Sequence, residues 1–478
     1  MNPIQSRLLH WSVAVGSLYA LTTPNPLESL WSIVLVFMTL RWFWWKEQPG
    51  IILICLLTPF FEIHTTVLEA NNYNLTLNEL YEQTGRKTFW ISSFGFTSVA
   101  ATFHLLITKR PHLIPSAESL KAAVEATSQI KLLIAYAVLS LASIIVDRLI
   151  PWGSGLHQLE TYFGAIVQVL LIAIGIHYWI SRKRPLLIAA FFLTLVVLSF
   201  YSYFSEWRLP FTILVITLLT SLRSFEFKQL AGLTPILIPA MLLVLLWQSV
   251  KGEYREFLSD GQLTQAVLVD RNTALNKFQE LSIEAVNNGL INDTVVASTY
   301  RRAGYLEYFS AAVKKVPTEI PHEQGKLLEE SLNFSLVPRI ISPNKGFKND
   351  RAKVERYTDY YFGANSFSSF SLGHYCEAYI DWGPFGMMIQ MIVYALLGIV
   401  LISLLHKQYY HINPLLYCGL LWVLLQPWGT FQQDMVTVSG TIFWGSVCHL
   451  LIFKPLYTFL NGFCNARVSP TTINQSTP

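Results

Sequence analysis

Residues 384–405 read PFGMMIQMIVYALLGIVLISLL, a stretch without a single charged side chain. A helix needs about 20 consecutive, mainly apolar residues to cross the hydrocarbon core of a bilayer. The stretch therefore predicts a membrane-spanning helix. A dense polar passage comes directly before it, VPRIISPNKGFKNDRAKVERYTDYYFGANSFSSFSLGHYCEAYIDWG at residues 337–383. The chain thus passes abruptly from polar sequence into an apolar span.

Apolar segments of similar length recur along most of the chain. Of its 478 residues, 52% are hydrophobic and only 13% are charged, about half the charged fraction of soluble domains. The candidate spans are residues 8–23, 29–45, 51–68, 89–107, 132–150, 162–180, 186–204, 210–222, 230–250, 384–405, 415–428 and 441–460. The sequence predicts an all-α polytopic membrane protein with about 12 transmembrane helices.

One long polar loop interrupts this series. We expect an N-terminal bundle of about nine spans at residues 1–250, the loop domain at 251–383, about three further spans at 384–462 and a disordered tail at 463–478. Residues 263–287 and 293–316 of the loop have apolar side chains at helical spacing. The loop is therefore expected to be helical as well.

The distribution of basic residues predicts the orientation. If the N-terminus is cytoplasmic, the segments on that side carry Arg41, Lys46, Lys109, Arg110, Lys121, Lys131, Arg182, Lys183, Arg184, Arg223, Lys228, Lys407, Lys454 and Arg467. The short connections on the other side carry only Arg86, Lys87 and Arg208. Cytoplasmic loops of membrane proteins are enriched in Lys and Arg. Both termini are therefore expected in the cytoplasm and the long loop outside, which is the periplasm in a Gram-negative cell.

A basic stretch within the loop suggests an anion-binding site. Residues 339–356 contain six basic side chains against Asp350 and Glu355, a local net charge of 6 − 2 = +4. Guanidinium and ammonium groups beside a membrane suit an anionic headgroup or a pyrophosphate. The alternative is a solvated basic loop that touches only anionic lipid.

Three polar residues follow on one face of a predicted helix. His374, Glu377 and Asp381 lie at i, i+3 and i+7. A histidine and a carboxylate one turn apart can serve as a general base for a sugar hydroxyl. The alternative is an amphipathic helix whose polar face meets water. A second pair, Glu62 and His64, lies at the outer end of the third span, where a structural role is favoured.

These elements resemble a known family. They comprise Pro338-Arg339, Pro343-Asn344-Lys345-Gly346, a serine-rich turn at 366–371, and the series Gly373, Glu377, Tyr379, Asp381, Gly383 and Gly386. The passage is similar to that of the Wzy-type O-antigen and exopolysaccharide repeat-unit polymerases. Those enzymes are relatives of the O-antigen ligases within the glycosyltransferase C superfamily.

The resemblance implies a glycosyltransferase of the bacterial inner membrane. Such an enzyme moves a growing glycan from undecaprenyl pyrophosphate onto the next lipid-linked repeat unit, without a cofactor or metal. A chain-length regulator and a flippase of the same pathway are implied as further partners, and nucleic acid is not. Carried onto this chain, the resemblance assigns His374 or Glu377 as base. It places substrate and pyrophosphate binding at Arg339, Lys345, Arg351, Arg356 and Asp381.

Two other functions remain open at the level of sequence. An O-antigen-ligase-like transferase would have the same topology as a polymerase. A lipid-linked glycan transporter would carry charged residues deep within its spans, whereas the charge here is concentrated in the loop. The chain has no Walker A motif, so it is not expected to be an ATP-driven pump by itself.

Overall fold

A computed structural model describes residues 3–44, 50–114, 116–149, 157–200, 208–221, 234–261, 267–290, 292–337, 341–342, 345, 348, 350–361, 370–409 and 414–465. All regular secondary structure in these residues is helical, apart from an isolated bridge between Thr127 and Asn465. The predicted all-α class is therefore confirmed.

The helices that precede the polar loop form most of the apolar bundle. They are α1 Pro3–Ala20, α2 Pro26–Phe43, α3 Ile51–Asn72, α4 Leu77–Leu80, α5 Gly85–Ile107, α6 Ala117–Glu125, α7 Gln129–Leu149, α8 His157–Ser181, α9 Pro185–Ser199, α10 Arg208–Ser221 and α11 Thr234–Leu258. Within this bundle α3 packs against α2 and α5, while α8 packs against α7 and α10. The described side chains of α3 and α8 are mostly buried, so these two helices lie at the centre of the core.

The loop folds into short helices. They are α12 Arg271–Asn287, α13 Asp293–Ala303, α14 Leu306–Lys315, α15 Lys326–Leu336 and α16 Asp350–Tyr357. Asp270 and Asn292 begin α12 and α13 by accepting hydrogen bonds from backbone N–H groups of the first turn. The predicted helical character of the loop is confirmed, with a break at Gly304 between α13 and α14.

The chain then returns to the bundle. The helices of this part are α17 His374–Tyr409, α18 Pro414–Trp428, α19 Met435–Gly440, α20 Ser446–Cys448 and α21 Lys454–Cys464, with π-helical segments at Thr441–Gly445 and His449–Phe453. Helix α17 packs along α5, and α18 packs against α8 and α3. The C-terminal helices therefore complete the core that α3, α5 and α8 begin.

Helix α17 has a kink where the polar passage ends. Gly383 has φ 71° and ψ −173°, and Pro384 follows it. Proline has no N–H group, so the carbonyl of Ile380 loses its helical partner. The backbone N–H of Glu323 donates to this carbonyl at 3.1 Å, and that of Gln324 donates to the next carbonyl at 2.9 Å. A segment of the loop domain thus satisfies the backbone groups that the kink exposes.

Among the residues that the structure describes, six helices are long and apolar enough to cross a membrane. The qualifying segments are Pro26–Phe43, Ile51–Asn72, Gly85–Ile107, Gln129–Val146, Gly164–Ser181 and His374–Leu405. Shorter apolar helices occur at Pro185–Ser199, Leu209–Ser221 and Met435–Cys448. The chain is therefore a membrane protein with transmembrane helices, and the count of twelve spans stays a prediction.

Connections that the sequence assigns to the outside meet at one end of the bundle. Asn25, before α2, donates to the side chain of Asn71 at the end of α3 at 2.9 Å. Thr84, before α5, shares a hydrogen bond of 2.8 Å with Ser310 of α14 in the loop domain. Three connections far apart in sequence therefore share one end.

The segments assigned to the inside meet where α5 ends. The N–H of Ser128 donates to the carbonyl of Cys464 at 2.7 Å, which joins the start of α7 to the end of α21. The side chain of Gln129 donates to the carbonyl of Lys183 at 3.3 Å, which adds the connection after α8. Helix α5 therefore leads from one group of connections towards the other, and the inside/outside alternation of the spans stays a prediction.

Candidate functional site

The loop at residues 429–434, GTFQQD, joins α18 to α19, and we call it the connecting loop. Glu62 of α3 accepts a hydrogen bond from the N–H of Phe431. At the start of α17, the carbonyl of Gln433 lies 2.6 Å from the backbone nitrogen of His374 and 3.0 Å from its Nδ1 atom. A carbonyl only accepts, so Nδ1 carries the proton of the neutral ring. Glu62 and His374, two of the ionisable residues identified in the sequence, thus both bind the connecting loop.

The start of α17 approaches the connecting loop closely because residue 373 is glycine. Its φ is 83°, a conformation that L side chains rarely adopt. A Cβ atom at this position would lie 2.6 Å from the carbonyl oxygen of Phe431. The glycine therefore permits both the turn before α17 and the contact with the loop.

Ion pairs of buried carboxylates with partly exposed lysines lie beside this contact. Glu377 accepts from the N–H of Met435 at 2.7 Å with Oε2, and Oε1 lies 2.9 Å from Nζ of Lys353. We call the group around this pair the lysine–carboxylate cluster, which consists of Lys348, Asp350, Lys353, Glu377 and Asp434. It joins α16 of the loop domain to α17 and to the start of α19.

Asp434 is the second acidic centre of the cluster. Its Oδ1 accepts from the N–H of Thr437 at 3.2 Å, which begins α19, and lies 2.9 Å from Nζ of Lys348. The same ammonium group is 2.8 Å from Asp350. In the described part of the chain, no group of three or more His, Cys, Asp or Glu residues could hold a metal ion. Each acid of the cluster is thus paired with a lysine ammonium group, and Lys348 serves two of them.

The cluster carries more acidic than basic groups. Three carboxylates face two ammonium groups, a formal difference of 3 − 2 = 1. Burial and the charge of Asp434 raise the pKa of Asp350. Burial opposes ionisation of Asp434 as well, but the ammonium of Lys348 holds its pKa below the ordinary value. Among the described atoms, Asp434 Oδ2 and Asp350 Oδ1 are buried without a hydrogen-bond partner.

The acidic neighbours raise the pKa values of both lysines of the cluster. Burial on its own lowers the pKa of Lys353, but the charge of Glu377 raises it above the ordinary value. The same opposition operates at Lys348, where Asp434 and Asp350 raise the pKa. Both ammonium groups are therefore stabilised in their charged form.

Asp381 lies on the same face of α17 but has another partner. Its Oδ1 and Oδ2 atoms accept from the N–H groups of Leu327 and Leu328 at 2.9 and 2.8 Å. The carboxylate therefore caps the N-terminus of α15 from outside that helix. The pyrophosphate contact predicted for Asp381 would have to compete with these two hydrogen bonds.

The predicted binding residue Arg339 lies outside the described residues, whereas Lys345 lies within them. The Lys345 ammonium donates to the carbonyl of Val337 at 2.7 Å and lies 4.1 Å from the ring centroid of Phe334. Lysine near the end of a helix can bind its last carbonyls in this way. In this conformation Lys345 closes the C-terminus of α15.

The two arginines of α16 form separate ion pairs. Arg351 Nε lies 2.9 Å from Oε1 of Glu355 on the same helix. Arg356 pairs with Glu323, next to the segment that satisfies the kink of α17. These ion pairs do not bring the two side chains together, so a shared pyrophosphate site stays a prediction.

The two residues proposed as bases are inaccessible in this conformation. His374 is 4% exposed and Glu377 is 0% exposed. The alternative of a polar helix face that meets water is therefore wrong, because Glu377, His374 and Asp381 all bind protein groups. Their assignment to acceptor chemistry stays a prediction.

Sequence reasoning missed the partners of these residues. The sequence indicates Lys348 and Lys353 only as members of the basic stretch at residues 339–356, and it assigns no role to Asp434. One signal is present for Asp434, since an aspartate directly before an apolar helical segment is a typical N-cap. His64 binds a neighbouring helix and not the connecting loop: its Nδ1 lies 2.7 Å from Ser32 Oγ of α2.

A family model described as "Domain of unknown function (DUF8712)" matches residues 105–460. The chain belongs to this family. The DUF8712 match includes every member of the lysine–carboxylate cluster, while Glu62 lies before its first residue. No curated protein and no solved structure matches the chain.

Proposed function

We propose that the protein polymerises undecaprenyl-pyrophosphate-linked repeat units into surface polysaccharide at the outer face of a bacterial inner membrane. The observation that carries the proposal is the docking of the polymerase-like passage on the membrane helices. Lys353 and Lys348 attach α16 to Glu377 and Asp434, at the point where α17 enters the apolar bundle. A lipid-linked pyrophosphate at the membrane surface would meet the protein at this level.

The proposed orientation follows from the two ends of the bundle. The end that carries the loop domain faces the periplasm, and the end near Ser128 and Lys183 faces the cytoplasm. Basic residues concentrate in the segments of the second end. This is the arrangement that the positive-inside rule favours.

In the proposed reaction, a hydroxyl of the acceptor repeat unit attacks the anomeric carbon of the growing glycan. A new C–O bond forms as the bond from that carbon to the pyrophosphate breaks, and undecaprenyl pyrophosphate leaves with the electron pair. The hydroxyl proton passes to a base, for which His374 and Glu377 are the candidates. Because both are buried here, either one reaches an acceptor only if the connecting loop moves. The candidates that stabilise the leaving pyrophosphate are Arg339, Lys345, Arg351 and Arg356.

Deletion of the protein followed by analysis of surface and lipid-linked glycans tests this function. Loss of long chains with single repeat units retained is the expected result. Normal free chains that are not attached to their acceptor would instead indicate a ligase. Lipid-linked units that accumulate on the cytoplasmic side would indicate a transporter.

Conservative variants expressed in the deletion strain distinguish a role in the chemistry from a role in positioning the connecting loop. In His374→Asn the amide can still donate to the carbonyl of Gln433, but the side chain cannot act as a base. We expect His374→Asn to abolish long chains at normal protein level, and Arg339→Ala to do the same. Lys121→Ala, in an exposed ion pair with Glu125, is the matched control. Full-length polysaccharide from both His374→Asn and Arg339→Ala would refute the site assignment.

A further inference from the structure

A second polar site lies at the loop-domain end of the bundle, apart from the lysine–carboxylate cluster. A cavity of about 290 Å³ opens between the end of α3, α4 and the loop helices α13 and α14. Asp359 and Tyr360, just after α16, form another part of its wall. This volume is close to the lower end of the range for small-molecule sites, about 300–1,000 Å³.

Four acidic side chains and two tyrosines line the cavity, and two of the acids, Glu69 and Glu307, each bind a tyrosine. Tyr81 donates to Oε2 of Glu69 at 3.2 Å, and Tyr360 donates to Oε1 of Glu307. Glu69 is only 3% exposed, and within the described residues each tyrosine binds one oxygen of its carboxylate and leaves the other oxygen available as an acceptor. The cavity therefore contains acceptors for ligand hydroxyls, with aromatic rings beside them.

The cavity also provides donors. In the part of the chain that the structure describes, the Arg301 guanidinium forms no ion pair, and its side chain lies in the cavity wall. The hydroxyls of Thr84 and Ser310 lie 2.8 Å apart at the same wall. Acceptors, donors and hydroxyls are thus grouped around one space.

The charge balance of the cavity wall disfavours an anionic ligand such as pyrophosphate. Lys314 lies 2.6 Å from Glu82 and 3.4 Å from Asp359, and Lys315 lies 2.9 Å from Asp359, so these two acids are compensated. Glu69 and Glu307 then face the single cation Arg301, a formal difference of 2 − 1 = 1 acidic charge. A pyrophosphate would meet net repulsion here. An uncharged ligand rich in hydroxyl groups can bind the acceptors and donors of the cavity wall, and it does not meet this repulsion.

We propose that this cavity binds an uncharged sugar residue of the glycan, separately from the lipid pyrophosphate. The proposal rests on the function proposed above and adds a carbohydrate subsite to it. Glu69 and Glu307 accept from sugar hydroxyls, and Arg301 donates to ring or hydroxyl oxygens. The tyrosine rings provide apolar surface for the sugar ring.

Saturation-transfer NMR on the full-length protein in lipid nanodiscs, free of sugar-based detergent, tests this subsite. The probes are a panel of uncharged hexoses, 6-deoxyhexoses, N-acetylhexosamines and their disaccharides, with inorganic pyrophosphate as competitor. We expect at least one saccharide to receive saturation, and pyrophosphate to leave the signal unchanged. Glu307→Gln and Arg301→Met should each weaken binding at least tenfold. Glu280→Gln, a matched change on exposed α12, should leave binding unchanged.

The proposal is overturned if no saccharide in the panel binds, if the Glu307 and Arg301 variants bind like the wild type, or if pyrophosphate displaces the sugar. Thermal unfolding of each variant shows whether the fold is retained. Tyr360→Phe keeps the ring and removes only the hydrogen bond to Glu307, so moderate weakening supports the site if Glu307→Gln misfolds. Chain-length analysis in the deletion strain is independent of these measurements: a transporter could retain sugar binding, and a polymerase could lack it.

Discussion

Glu377 illustrates how a single side chain can hold two parts of the structure. One carboxylate oxygen binds the first N–H of α19, and the other binds the ammonium of Lys353 on α16. Both groups are removed from water, so the attraction between them is weakly screened, and the loss of one partner leaves the other charge uncompensated. The pair therefore acts as an attachment point between the loop domain and the membrane helices.

A double-mutant cycle on this pair measures that attachment. Removing one partner of a buried ion pair costs about 3–5 kcal/mol, so Lys353→Met and Glu377→Gln should each lower the free energy of unfolding by an amount of that order. The double variant should lose clearly less than the sum of the single variants. Denaturation of the full chain in nanodiscs, followed by intrinsic fluorescence, provides the measurement. Additive losses would show that the two side chains do not interact.

The raised pKa values of the lysines predict loss of stability at alkaline pH. A folded-state pKa above the unfolded value of 10.5 gives stabilisation that is complete below pH 10.5 and disappears as the pH rises through the folded value. We therefore expect the stability difference between wild type and Lys353→Met to shrink as the pH rises above 10.5. Unfolding curves across this range test the sign. A difference that grows at high pH would contradict the assignment.

At the scale of elements, side chains of α3 and α17 hold the connecting loop and the start of α19 through backbone groups. Glu62 and Glu377 accept from N–H groups of Phe431 and Met435, and His374 donates to the carbonyl of Gln433. The loop bends tightly between α18 and α19, so these groups lack partners within a helix. Side chains from α3 and α17 replace those partners.

Gly373→Ala tests how tightly this packing depends on the start of α17. The left-handed conformation costs an L residue about 1–2 kcal/mol, and the added methyl group would lie 2.6 Å from the Phe431 carbonyl oxygen. We expect a lower midpoint of thermal unfolding and earlier proteolysis of the loop domain. Gly252→Ala in α11 is the matched control, since no atom lies within 4 Å of the added group. Equal behaviour of the two variants would mean that the contact is not needed for stability.

At the scale of the whole molecule, sequence reasoning succeeded where the signal is local. The apolar segments correspond to helices because span length and composition are read within a short window, and α12 and α13 begin at the caps Asp270 and Asn292. The site depends on pairs that are distant in the chain. Asp434 and Lys348 are 86 residues apart, and Glu62 and Phe431 are 369 apart. A single sequence contains no signal for such pairs, so it identified His374 and Glu377 but not what they bind.

Cysteine labelling tests the arrangement of the whole chain in the membrane. All five native cysteines are buried, so new surface cysteines can be read against a low background. Asn74→Cys and Glu280→Cys lie at the end that carries the loop domain, whereas Glu118→Cys and Lys183→Cys lie at the other end, and all four positions are exposed. We expect a membrane-impermeant maleimide to label the first two in intact spheroplasts and the second two only after permeabilisation. The opposite pattern would reverse the orientation and place the lysine–carboxylate cluster in the cytoplasm, out of reach of lipid-linked glycans on the outer leaflet. Unequal labelling within either pair would instead show that connections adjacent in the fold do not share one side of the membrane.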